Sequence, residues 1–483
     1  MLAVDQLLLG LAANPALPAD VVDRLIATAG REVAEVLAQR DDLTREQVLE
    51  LARCVPECAD RLAWEGRLSA ADVDPVAQPS ATLALLDQGL GDPESARILA
   101  RSAEADQRER LAACPGLPAD VVESLAADPD ERVLAELALW TTAAVATRLA
   151  THAHAMVRCG VAHNRAAPPQ ILAALLAGVG PPLAVCGLCD ACRCDAHAIR
   201  QAALENPATP ALAAAAFADH PSMLLRWAVA GRTDLPQETY ELLAGDPIPG
   251  TRQTLTKNPA LTDPLLRVLA EDDNHDVRRC LAENPRLPLD VLDHLAATTK
   301  IGPVLLPRIA AASAEEIEQL AGARNPVVRM LVAARRDLPA AVRDALAADR
   351  DAKVLSSLAP HPGLTESQLR SMADRHGARV HAKVAENPAA PPSLLEEIAA
   401  AAIPVRSTLR AIARHPNATA EALRICLTDV RARVIAAGHP AVDATTLRSL
   451  LDHSDEQVGE AAAANPALPP DAMRELVPAA QLP

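Results

Sequence analysis

The chain has 483 residues, half of them apolar, and a formal net charge of −17. That acidic balance, with only four lysines (Lys257, Lys300, Lys353 and Lys383), argues against a nucleic-acid partner, although it leaves room for a local basic stripe. Aromatic residues are 1% of the chain, with Phe217 and Tyr240 the single examples of their kinds, so the core must be built from Ala, Leu and Val in closely packed thin helices. Forty prolines against nineteen glycines require those helices to be short, because proline sits at helix boundaries and not inside them.

In chain order, Met1 to Asp5 carries no positive leader and the apolar run Leu7 to Leu11 is short, so no signal peptide is expected. No apolar stretch of membrane-spanning length lacks charges or prolines, so no membrane partner is expected and the cytoplasm is the expected location. The phrase Asn14-Pro15-Ala16-Leu17-Pro18 comes next, followed by Val21, Val22, Leu25 and Ile26. It returns as Asn284-Pro285-Arg286-Leu287-Pro288 and Asn465-Pro466-Ala467-Leu468-Pro469, with degenerate copies opening at Asn258, His361, Asn387, His415 and His439. Its fifth position falls at Pro18, Thr44, Ser69, Pro118, Thr142 and Pro168. It resumes at Pro210, Pro236, Thr262, Pro288, Ala314, Pro339, Thr365, Pro391, Thr419, Asp443 and Pro469. Most steps are 26 residues, and a gap of 49 after Ser69 leaves room for one degraded copy near residue 93.

Proline, Thr or Ser at this position, with an acid two residues later, is a helix start: proline suits the first turn, hydroxyls cap free N–H groups, and acids complement the dipole. The apolar residues at i, i+1, i+4 and i+5 then form one buried stripe. A second short helix, as in Asp276 to Ala282, ends each unit at the next Asn-Pro. Neither helix buries its stripe alone, so the expected fold is an all-α solenoid of about eighteen repeats of 24–28 residues. Arginines recur six residues before the anchor (Arg108, Arg158, Arg200, Arg226, Arg252, Arg278, Arg329 and Arg433) and read first as a ladder between repeats, with Asp219, Asp273 and Asp276 among the nearby acids. The anchor Asn residues read as turn formers.

The repeat phrase and its paired-helix unit resemble the leucine-rich repeat variant family, with HEAT-type repeats the second resemblance. The likeness spans nearly all of the chain except residues 177–197. It implies a right-handed superhelix of α and 3₁₀ helices. Members of that family include proteins with a cysteine-rich iron–sulfur module ahead of their repeats; here the cysteines follow about seven repeats.

The step from Pro168 to Pro210 is 42 residues, 16 more than one repeat, and contains Cys186, Cys189, Cys192 and Cys194. The chain thus divides into an N-terminal array (1–176), a Cys-rich inserted loop (177–197) and a C-terminal array (198–483). C-x-x-C-x-x-C lets three thiolates hold three irons of a [4Fe–4S] cluster. Cys194 is the expected fourth ligand, and Cys159 the alternative. Zinc is the second choice of metal, weakened by the absence of a second CxxC pair; a metal-free loop is the third. Cys280 and Cys426 read as small core residues, Cys114 replaces an anchor Asn, and Cys54/Cys58 is a weak C-x-x-x-C pair. His152, His154 and His163 lie near Cys159 and make a weaker mononuclear metal candidate.

No Gly-rich phosphate loop, nucleophile elbow or H-E-x-x-H motif is present. The functional expectation is a non-enzymatic scaffold for a protein partner, carrying a [4Fe–4S] cluster. A redox or iron-sensing protein and a zinc-stabilised solenoid are the alternatives.

Overall fold

A computed structural model describes residues 2–28, 30–180, 196–401 and 405–477. Among the described residues all regular structure is helical, α or single-turn 3₁₀, arranged in repeated pairs as a helical repeat solenoid. A helix opens at every position expected from the repeat phrase: Arg45–Cys54 after Thr44, Gln237–Ala244 after Pro236, Glu366–His376 after Thr365 and Pro470–Leu476 after Pro469. Two starts differ in detail. Ser69 opens one 3₁₀ turn, Ala70–Asp72, and Ser313 instead of Ala314 caps Ala314–Ala321. The degraded copy is Pro93–Ala100, capped by Asp92.

The prolines of the phrase lie at the cap, one residue outside the helix, and not in its first turn. Pro236 has φ −57° and ψ 147°, a ring-locked φ with extended ψ. The leucine before it explains the placement: Leu235, Leu338 and Leu468 are buried, and each fixes the chain's entry angle as a hydrophobic staple does. At Thr44, Thr365 and Thr419 the cap side chain works directly, and Thr44 with Gln47 and Thr365 with Gln368 form capping boxes. The apolar stripes face inward as expected: Val21, Val22, Leu25 and Ile26 are at most 3% exposed.

Stacking is fixed by the anchors. Asn284 donates from Nδ2 to the carbonyls of Thr256 (2.6 Å) and Asn258 (3.1 Å), while its Oδ1 accepts from the Arg286 amide (2.9 Å). Asn387 repeats the pattern on Ala359 and His361, and Asn465 on Ala437 and His439. Each Asn therefore forms its own turn and also satisfies the open C-terminal carbonyls of the preceding repeat's second helix. His415, His439 and Arg232 do the same work from longer side chains.

The chain forms two compact units, Pro56–Val291 and a second made of Met1–Val55 with Leu292–Pro483. These boundaries fall elsewhere than the Cys-rich segment, which lies inside the first of them. In the two-segment unit and among the described residues, Leu2–Ala12 is a second-type helix with no first-type helix described before it, and Pro470–Leu476 is a first-type helix with no described successor. The two halves make one composite repeat. Asn14 donates to the carbonyls of Ala463 (2.8 Å) and Asn465 (2.7 Å), as Asn465 does to the repeat before it. Arg474 pairs with Asp20 at 3.1 Å, the same link by which Arg267 reaches Asp290. Gly10 permits the contact, since a Cβ there would lie 2.1 Å from the Glu460 carbonyl oxygen.

Candidate functional site

Cys186, Cys189, Cys192 and Cys194 lie outside the described residues. What surrounds their segment is described. Helix Pro169–Ala177 ends on Gly178 in the left-handed region (φ 73°), a C-terminal stop that leads the chain out of the repeat. The chain is helical again at Ala196–Glu205. Asn206 then donates to the carbonyls of Ala162 (2.8 Å) and Asn164 (2.9 Å), 44 and 42 residues away. Asn284 makes the same two bonds over 28 and 26 residues. The repeats on either side of the insertion thus stack directly, and the sixteen additional residues are surplus to the stack.

Two arginines border the insertion. The Arg158 guanidinium lies beside Gly180 and that of Arg200 beside Gly178, with atoms 3.3 and 3.2 Å from where a Cβ would stand. Arg158 donates to the His152 carbonyl at 2.6 Å, and burial holds its pKa below the usual arginine range. Cys159, the alternative fourth ligand, is half-buried on helix Ala155–His163, with Sγ 3.8 Å from Nδ1 of His163. His152 and His154 turn elsewhere: their Nδ1 atoms accept from the His154 and Met156 amides, and His154 caps the helix. The three histidines therefore do not converge, and among the described residues no group of three metal-ligating side chains gathers.

The other cysteines are individually placed. Cys426 is fully buried and Cys114 nearly so; burial pushes both thiols up to about 12, far from reactive. Cys280 is only half-buried, at the repeat position filled elsewhere by Gly160 and Gly10 and also by Lys383. Cys54 is exposed and Cys58 buried.

Four members of the arginine series form a structural ladder with partners that differ from the nearest acids in sequence, whereas the buried Nε of Arg433 has no acceptor among the described residues. Arg108 pairs with Asp128, Arg226 with Asp246, Arg252 with Asp272 and Arg329 with Asp349, each twenty residues on and at 2.6–2.7 Å. Asp219, Asp273 and Asp276 take no part in these pairs. Burial opposes ionisation of Asp246, yet the Arg226 guanidinium and the Ile248 amide outweigh it and hold the carboxyl below its ordinary value.

The solvent-facing row of the second helices holds what sequence reasoning passed over. All three tryptophans face solvent: Trp64, Trp140 and Trp227 are 50%, 63% and 43% exposed. Trp227 borders an open groove of about 670 Å³ with Leu224, Gln201, Glu205 and Asp234. The scarcity of aromatics was the available signal, because a core of Ala, Leu and Val has no slot for indole. Tyr240, by contrast, is buried and bonds to the Arg232 carbonyl at 3.0 Å. Among the described residues no helix is long and apolar enough to cross a membrane.

No family model matches the chain, and no curated protein matches it. Among solved structures, it is similar to one described as a leucine-rich repeat variant with a novel repetitive protein structural motif. The two are 18% identical with a TM-score of 0.30, over 51% of this chain and 87% of that one.

Proposed function

We propose that the protein is a non-enzymatic repeat scaffold that binds a partner protein along its second-helix face and carries a [4Fe–4S] cluster on the inserted loop. Cys186, Cys189, Cys192 and Cys194 are the assigned ligands, with Cys159 the alternative to Cys194. The observation that carries this reading is the Asn206 bond across the insertion. A segment that the stack does not need has no packing reason to hold four thiols in nine residues. Arg158 and Arg200 at its base supply positive charge, which suits an anionic thiolate-bound cluster. When bound, such a cluster supplies one-electron chemistry or a redox-sensitive structural clip. Exposed Trp227 and Leu224 supply the apolar contact that a protein partner uses as an anchor.

Anaerobic purification followed by an absorption spectrum and iron, sulfide and zinc analysis tests the cofactor. Broad absorbance near 400 nm with about four irons and four sulfides per chain is expected. Serine substitution at Cys186, Cys189 or Cys192 should abolish it. Loss on Cys159→Ser and retention on Cys194→Ser would exchange the fourth ligand. One zinc per chain without colour would replace the cluster by a structural clip. No metal at all would sink the cofactor reading and leave the scaffold.

A further inference from the structure

Among the many arginines paired to acids or carbonyls, one group stands apart. Helix Arg406–Arg414 buries Thr408, Leu409, Ala411, Ile412 and Ala413. Its outer face carries Arg406, Arg410 and Arg414 at successive i, i+4 spacings, one stripe along a helix. Three like charges so placed repel one another, which no helix selects for its own stability. Their acidic neighbours do not neutralise them. Arg406 is 78% exposed and stands 3.9 Å from Asp429, the limit of an ion pair. Arg410 and Arg414 have no carboxylate partner among the described residues, and the buried Nε of Arg410 has no hydrogen-bond acceptor.

These two arginines line a cavity of about 470 Å³ together with Glu386, Ser407, His415 and Pro388. The carboxylate and the imidazole there are engaged. Glu386 is held by Lys383 at 2.7 Å, and His415 donates from Nε2 to the Asn387 carbonyl (2.7 Å) and accepts at Nδ1 from the Asn417 amide (3.0 Å). The open charge there is therefore cationic, with the exposed Ser407 hydroxyl beside it. Residues 405–434 hold six arginines against Glu421 and Asp429, in a chain whose net charge is −17.

We infer that this stripe is a docking site for an acidic peptide segment of a partner protein, bound extended with carboxylates at alternate residues. The spacing argues for it. Residues i and i+4 of a helix lie about 6 Å apart along the axis, and alternate residues of an extended chain about 6.6 Å apart on one face. Carboxylates so spaced meet successive guanidinium groups, and each fork suits a carboxylate. Pro388 and Pro416 border the stripe and give the peptide backbone an apolar surface to lie against. The inference rests on the scaffold reading and narrows it to one surface and one partner chemistry.

A fluorescein-labelled Asp-Ala-Asp-Ala-Asp peptide tests it by anisotropy on the full chain. Binding should weaken as salt is raised, and Arg410→Gln with Arg414→Gln should raise Kd at least about tenfold. An exposed control, Arg101→Gln, should leave it unchanged. Thermal denaturation checks that the double variant folds. Independently, on the wild-type chain, bound peptide should slow phenylglyoxal modification of Arg410 and Arg414, read by mass spectrometry. Equal affinity of wild type and double variant, equal binding of an Asn-Ala-Asn-Ala-Asn peptide, or no protection of either arginine would overturn the inference. So would inorganic phosphate displacing the peptide at concentrations below the peptide's own Kd, which would make this a free-oxyanion site. A failure here with partner crosslinking retained at Trp227 would leave the scaffold reading standing; loss of both would end it.

Discussion

The anchor position shows how one physical task selects several residue types. Open carbonyls at the end of a buried helix need donors, and Asn, His and Arg each reach them. They differ in titration. His439 is buried, donates toward the His415 carbonyl, and is held below the ordinary imidazole value by burial, which outweighs the opposing effect of that bond. His361 is lowered too, by burial first and then by Arg343 and Arg336. The folded chain thus prefers these rings neutral, and the unfolded chain takes up protons first as pH falls. Their contribution is complete above the unfolded value of about 6.5 and is lost as pH drops below it. Thermal melts at about pH 7.5 and about pH 5.5 should show a fall in Tm that His361→Asn and His439→Asn both flatten, because Asn can accept the turn amide at both positions, and donate to the His415 carbonyl at 439, without titrating. A slope unchanged in both variants would show that other groups carry the acid sensitivity. The paired aspartates act at lower pH: Asp246, Asp272 and Asp349 are all held below the usual carboxylate value, so their share is lost only as pH falls through those lowered values.

At the scale of the element, the short helices owe little to propensity and much to their ends. A helix of eight to eleven residues is marginal alone, so caps and stacking decide whether it forms. The Thr365 box is the clearest case, since Gln368 closes it and also reaches Asp344 of the preceding repeat at 2.9 Å. Thr365→Ala should therefore loosen the first turn of Glu366–His376 by about 1 kcal/mol, a roughly fivefold loss of hydrogen-exchange protection there. Pro236→Ala should cost less, because proline offers no capping acceptor and its role is to set the backbone. Equal effects at the two positions would assign the stabilisation to backbone stiffness alone. The acids after each start, first expected to serve the dipole, do a second job. Asp120, Asp290 and Asp20 each accept an arginine from the preceding first helix, and that bond is what chiefly lowers their pKa.

At the scale of the molecule, a stack of repeats leaves apolar faces at its ends unless something covers them. In the two-segment unit the N-terminal helix and the C-terminal repeats cover one another. Gly10→Val would force a side chain into the Glu460 backbone, and Asn14→Leu would strand two buried carbonyls at about 1–3 kcal/mol. Either substitution should expose helix Glu456–Ala463 to hydrogen exchange and proteolysis, with little change in residues 105–163 of the other unit. Unaltered exchange at 456–463 would show that the composite repeat is not what protects it.

The repeat, its phase and its helix starts were legible in the residues alone, because proline geometry, capping and the 3.6-residue period act over a few neighbouring residues. The sequence also identified the arginine series as a ladder, since a cation recurring at one repeat position has a neighbour one repeat away. Which partners meet is set by the stacking of the repeats. Asp246 lies twenty residues from Arg226, beyond acids nearer in sequence, because the pairing follows the stacking vector and not the chain. The composite repeat was equally hidden, since Asn14 and Asn465 read as two copies of one phrase until stacking joins them. The open arginines of Arg406–Arg414 escaped notice for the same reason: a charge on a helix face has meaning only once every neighbour that might neutralise it is in place.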